Sequence, residues 1–117
     1  LADMFIASAK GTLSEYKLEL NNNHCCTVVL ASNGYPDKYE TGKEISGLND
    51  LSEDAIVFHA GTRSTNGKLL TNGGRVLNVT GISPLGLKEA INIAYHNSSN
   101  INFENKYYRT DIGLKGL

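Results

Sequence analysis

The sequence predicts an α+β domain, compact and β-rich, with mostly antiparallel strands and one or two flanking helices. Three observations carry that expectation. β-Branched and apolar residues gather in short runs punctuated by Gly, Asn and Pro: HCCTVVLAS (24–32), AIVFHAG (55–61), KLLT (68–71) and RVLNVTGI (75–82). One longer stretch, PLGLKEAINIAYHN (84–97), repeats its apolar residues at helical spacing. The length of 117 residues fits one domain. A chain of that size buries roughly two-thirds of its unfolded surface, enough for a single core.

Taken in order, residues 2–10 place Met4, Phe5, Ala7 and Ala9 in a short helical pattern that Gly11 ends. The run at 24–32 is almost continuously apolar, as expected of a strand covered on both faces. Asn33, Gly34, Pro36, Asp37 and Gly42 then break the chain into turns, with a short extended piece at 45–48. After the strand at 55–61, KLLT and RVLNVTGI read as two strands joined through Asn72, Gly73 and Gly74. Ser83 followed by Pro84 is a helix start: a hydroxyl cap, then a proline whose missing N–H costs nothing there. The helix sets Leu87, Ala90, Ile91 and Ala94 on one face. The tail INFENKYYRTDIGL alternates loosely, as an edge strand or extended segment would.

Composition narrows the function classes. Hydrophobic residues make up 40% and charged residues 20%, as in a soluble globular protein. Eleven basic and 12 acidic residues leave a net charge of −1. Nucleic-acid binding, which needs a basic excess, is not expected. No apolar run approaches the ~20 residues of a membrane helix, and the opening lacks the basic leader of a signal peptide. The chain begins without methionine inside a helical pattern, which reads as a fragment. Cys25 and Cys26 are neighbours whose side chains point to opposite faces of a strand, so they read as reduced thiols of a cytoplasmic protein. With His24 they cannot all face one ion, and no metal site is expected. The sequons at Asn78 and Asn97 read as chance.

The chemistry-bearing stretch is HAGTRSTNGKLLTNGGRVL, residues 59–77. Lys68 and Arg75 flank the Gly73–Gly74 pair, and two readings stand. In one, KLLT and RVL form a hairpin with solvated charges. In the other, both cations reach one end of that hairpin, and the glycine N–H groups complete a backbone nest for an anion. Arginine suits a phosphate because its planar fork makes two charge-assisted hydrogen bonds. His59 ends a strand as either a structural group or a pocket residue. Tyr107, Tyr108, Arg109 and Asp111 read as aromatic packing with an Arg109–Asp111 interaction, or as a binding edge. No nucleophile–histidine–acid set, P-loop or dinucleotide fingerprint is present, so no catalytic residue is named.

Together the segments VLASNGYPDKYETGKEISGL, VFHAGT, GKLLTNGGRVLNVTG and YYRTDIG resemble the C-terminal part of the phosphoribosylamine–glycine ligases, in order and spacing, over residues 1–113. Asn33 stands where a glycine is usual, Thr110 where a second arginine often follows Arg109, and residues 114–117 are untypical. The resemblance implies an ATP-grasp ligase. ATP phosphorylates the glycine carboxylate, and the amine of 5-phosphoribosylamine attacks the glycyl phosphate in de novo purine synthesis. Magnesium or manganese neutralises the transferring phosphoryl group.

The resemblance further implies that residues 1–20 end the ATP-grasp region or form a connecting helix, and that 21–117 are the C-terminal domain. The ATP and metal ligands would lie upstream, in the ATP-grasp and N-terminal domains, leaving no cofactor in this chain and no activity for it alone. By analogy with related ATP-grasp enzymes, Lys68 and Arg75 would hold the 5′-phosphate. Gly73 and Gly74 would let the backbone approach it, and His59, Thr62 and Asn72 would line the pocket. The rival reading is a structural or interaction module with no substrate role.

Overall fold

A computed structural model describes all residues 1–117. The elements in chain order are α1 (Ala2–Ala9), β1 (His24–Ser32), β2 (Ala55–His59), β3 (Thr62–Thr65), β4 (Lys68–Thr71), β5 (Arg75–Ser83), α2 (Leu87–Asn100) and β6 (Lys106–Tyr107). Four strands make the main sheet in the order β2-β5-β1-β6, while β3 and β4 form a separate ribbon. Every strand pairing is antiparallel, as the α+β expectation requires.

The nine-residue strands β1 and β5 form the centre, with Val28 opposite Val79 and Leu30 opposite Leu77. Residues directly opposite each other share a face, so these pairs point one way together. Helix α2 covers that face through Ala90, Ile91 and Ala94, and Ile45, Ile101 and Phe103 close its margins. The chain thus carries its own continuous core of 12 buried residues.

The other face of the sheet is open, which corrects the expectation that β1 is covered on both sides. From Cys25 to Val29 burial alternates, with Cys26 and Val28 buried and Cys25, Thr27 and Val29 exposed. Ile56 and Phe58 of β2 join Val29 on the open side. Apolar β-branched residues on both faces made the strand look doubly buried, although only one face has a helix over it.

Two further expectations change. Ser83 and Pro84 do not start the helix. Ser83 is the buried last residue of β5, and its Oγ accepts the Leu85 N–H at 3.1 Å. The helix opens instead at Leu87 behind Gly86, whose φ of 122° suits glycine. It runs past 97 to Asn100, and the Lys106 ammonium caps its last turn by donating to the carbonyls of Ser98 and Ile101. The second change concerns β4, which pairs with β3 and not with β5. Asn66 and Gly67 make the turn between them with φ of 51° and 75°, the left-handed pair a tight hairpin requires.

Other expectations hold. Helix α1 ends where Gly11 takes a φ of 73°, the tail pairs with β1 as the short edge strand β6, and both cysteines are free thiols. No helix is long and apolar enough to cross a membrane.

Candidate anion-binding site

The glycine pair lies between the ribbon and the main sheet. Ser32, at the end of β1, holds both glycine carbonyls: its N–H donates to Gly74 at 2.8 Å and its Oγ to Gly73 at 3.0 Å. The N–H groups of Gly73 and Gly74 find no acceptor in the protein. Two successive unpaired amides beside a cation form a nest suited to anionic oxygens.

These glycines are not required by a left-handed φ, but by close approach. A Cβ on Gly61 would lie 2.6 Å from the Arg75 carbonyl and 2.9 Å from the Gly73 Cα, so the β2–β3 corner and the glycine pair cross backbone to backbone. A Cβ on Gly74 would meet the Tyr35 ring at 1.9 Å. Tyr35 therefore packs directly over the glycine pair.

Arg75 owes its direction to a bulge. The β1–β5 register shifts between Leu30 and Ala31, so Leu30 faces Leu77 but Ala31 faces Arg75. Regular alternation would send residue 75 to the α2 side with Leu77 and Val79. The extra residue, Val76, is buried beside a buried Leu77, and Arg75 instead joins the open face. The Arg75 guanidinium makes no hydrogen bond or salt bridge within the chain.

A cavity of about 560 Å³ brings these groups together, lined by Tyr35, Ala60, Gly61, Asn72, Gly73, Gly74, Arg75 and Asn78. Of the residues singled out from the sequence, Asn72, Gly73, Gly74 and Arg75 meet there. Lys68 does not line it. Because β4 pairs with β3, Lys68 stands beside the Asn66–Gly67 turn, where its ammonium bonds Glu44 at 2.7 Å. The expected KLLT–RVL hairpin, which was to bring both cations to one end, is absent. His59 and Thr62 bond each other at 3.0 Å, across the two residues that do line the cavity.

Sequence reasoning missed Tyr35, Gly61 and Asn78. Tyr35 sits in a turn about 40 residues upstream, and only the third dimension lays it over Gly74. Gly61 carried a signal, being a glycine in a strand-end HAGT, but its partner across the crossing was unreadable.

A larger cleft of about 650 Å³ lies at the β5–α2 turn, with Asp54 and Glu89 in its lining. Two carboxylates repel an anion, so size does not select the site. At the sheet's other edge, Arg109 is held by both Asp111 oxygens, at 2.9 and 2.6 Å. That bond, followed by the charge of the arginine, holds the Asp111 carboxyl below the usual carboxylate range. No three His, Cys, Asp or Glu side chains converge where they could hold a metal.

Comparison with known proteins adds the lineage. The family model for the phosphoribosylglycinamide synthetase C domain matches residues 25–115. A phosphoribosylamine–glycine ligase of Chlorobaculum tepidum is 47% identical, over all of this chain and 28% of the relative. That of Agrobacterium fabrum is 41% identical over all of this chain and 27% of its own length. A bifunctional purine biosynthetic protein of Pichia angusta is 39% identical, with 15% of its length covered. The crystal structure of a phosphoribosylamine–glycine ligase from Thermotoga maritima superposes with a TM-score of 0.72 at 38% identity, covering 92% of this chain and 27% of that one. The chain spans about a quarter of the length of the single-function relatives it matches. By sequence and by fold alike, this chain belongs to the phosphoribosylglycinamide synthetase C-domain family.

Proposed function

We propose that the chain is the C-terminal domain of a cytoplasmic, ATP-dependent ligase that joins glycine to 5-phosphoribosylamine in de novo purine synthesis. Its own contribution is the ribose 5′-phosphate site. The observation that carries this reading is the convergence of the unpaired Arg75 guanidinium with the unpaired Gly73 and Gly74 amides in one cavity. A phosphate supplies the several acceptor oxygens that such donors need. Anchoring it would hold the amine of phosphoribosylamine toward an acyl phosphate made elsewhere in the enzyme. ATP and magnesium or manganese are assigned to the ATP-grasp and N-terminal domains of the ligase, as the kinship with phosphoribosylamine–glycine ligases suggests.

Lys68 enters the reading as a second cation that exchanges Glu44 for the phosphate. His59, Thr62 and Asn72 support the cavity wall. Residues 1–20 lead from the ATP-grasp region into the domain.

The test is steady-state kinetics of the intact ligase. Arg75→Ala should raise the KM for phosphoribosylamine about 10- to 100-fold, the loss of a charge-assisted pair of hydrogen bonds, and leave the KM for ATP unchanged. Lys68→Met should raise it less, because that lysine must first leave Glu44. An unchanged KM with a lowered melting temperature would overturn the assignment in favour of a structural platform.

A further inference from the structure

We propose that the site also accepts a purine nucleoside 5′-monophosphate, with the phosphate on the Gly73–Gly74 amides and Arg75 and the base in an adjoining tyrosine-lined cavity. The proposal rests on the phosphate reading above and adds a second subsite to it.

The second cavity, about 250 Å³, opens on the uncovered face of the main sheet. Val29, Ala31, Tyr107 and Ile112 make much of its wall, with Arg109 beside them. Tyr35 and Arg75 line both cavities, so the two meet at that pair. Two of the polar groups of the second cavity are already engaged, while the hydroxyls of Tyr35, Tyr107 and Tyr108 bond nothing in the protein. The Thr27 and Thr80 hydroxyls bond each other at 2.8 Å, and Asp111 holds the Arg109 guanidinium at both nitrogens. A guanidinium locked in plane by a carboxylate keeps its flat faces available for stacking.

What remains for a ligand is aromatic face, guanidinium face, aliphatic surface and the edge hydroxyls of three tyrosines. Such a lining takes a planar ring against its aromatic and guanidinium faces and meets the ring's edge heteroatoms with the tyrosine hydroxyls. A ribose 5-phosphate fills the glycine-lined cavity and leaves the tyrosine-lined one uncovered. In a nucleoside monophosphate one ribose joins phosphate to base, matching two cavities that meet at Arg75. A bicyclic base covers more of the wall than a single ring does. Because both ligands claim Arg75, a purine mononucleotide would compete with phosphoribosylamine and slow the ligase as purines accumulate.

The experiment is titration of the 117-residue chain, followed by backbone amide NMR shifts. The ligands are ribose 5-phosphate, adenosine and guanosine 5′-monophosphates, uridine 5′-monophosphate and adenosine. The expected result is that the purine monophosphates bind about tenfold tighter than ribose 5-phosphate or more, the increment that stacking on an aromatic side chain supplies. Uridine monophosphate should fall between them, and adenosine should bind weakly. Tyr107→Ala should remove the purine advantage and leave ribose 5-phosphate affinity unchanged. Tyr107→Leu, which keeps apolar bulk at the strand edge, should do the same with the fold intact.

Purine monophosphates binding no tighter than ribose 5-phosphate would overturn the base subsite and leave the phosphate site standing. Ribose 5-phosphate binding that is absent, or indifferent to Arg75→Ala, would overturn the phosphate reading and this proposal with it.

Discussion

At the scale of single residues, the site depends on what is missing from two side chains. A Cβ would meet backbone at 2.6 Å on Gly61 and the Tyr35 ring at 1.9 Å on Gly74, whereas on Gly73 its nearest neighbour, the Gly61 Cα, would lie 3.3 Å away. The cost of adding a methyl group should follow what that methyl meets. On Gly61 it meets the Arg75 carbonyl and Gly73 backbone, neither of which can swing aside, so Gly61→Ala should destabilise the chain by about 1–3 kcal/mol. On Gly74 it meets the Tyr35 ring, which is 44% exposed and free to rotate outward. Gly74→Ala should therefore cost less in chemical denaturation while perturbing ligand binding more, because Tyr35 walls the cavity. Equal losses of stability would mean that Tyr35 is as fixed as the backbone. The sequence showed that glycines and an arginine belong together here. It was silent on why, because close approach is a relation between segments and leaves no mark on either one.

At the scale of elements, the presence of the long elements was legible, although the one-sided burial of β1 and the start of α2 were not. The long strands β1 and β5, the buried stripe of α2 and the tight Gly11 stop all announce themselves. The ribbon strand β3 does not. Its sequence TRST is polar, with no alternation of apolar residues, and it is a strand because β4 pairs with it across the Asn66–Gly67 turn. Missing it is what gave β4 the wrong partner and drew Lys68 toward Arg75.

Helix α2 offers a contrast between neighbours. The buried Asn97 amide is fully employed, accepting the Ser52 N–H and donating to Ser52 Oγ and the Ile93 carbonyl, each at 2.8 Å. Burial and these bonds leave no room for a glycan at that sequon. Next to it, the buried Ser98 hydroxyl has no partner. Asn97→Ala should cost about 2–3 kcal/mol, since it strands the Ser52 N–H as well as opening a gap. Ser98→Ala should be neutral or stabilising, because it removes a desolvated polar group and little volume. Urea unfolding of the two variants would show opposite signs, and matching losses would mean that Ser98 has a partner in solution.

At the scale of the whole molecule, the chain is less compact than its length warrants. A single domain of this size has a radius of gyration of about 13 Å, whereas this one measures 16.9 Å and extends 48 Å along its longest axis. The excess lies at the start. None of residues 1–23 is buried, and the backbone bonds of α1 and the turn after it stay within residues 1–16. Leu1, Phe5, Ile6, Leu13, Leu18 and Leu20 all face solvent. The family match begins at residue 25, one residue into β1. Removing residues 1–20 should therefore leave the melting temperature and the denaturant midpoint of the remainder unchanged, because no core contact and no sheet hydrogen bond goes with them. It should also raise solubility, since six exposed large apolar side chains leave together. A marked fall in stability would mean that α1 docks onto the open face of the sheet, against Val29, Ile56 and Phe58. The division at residue 20 would then be wrong, and the tyrosine-lined cavity would be covered by the chain's own helix.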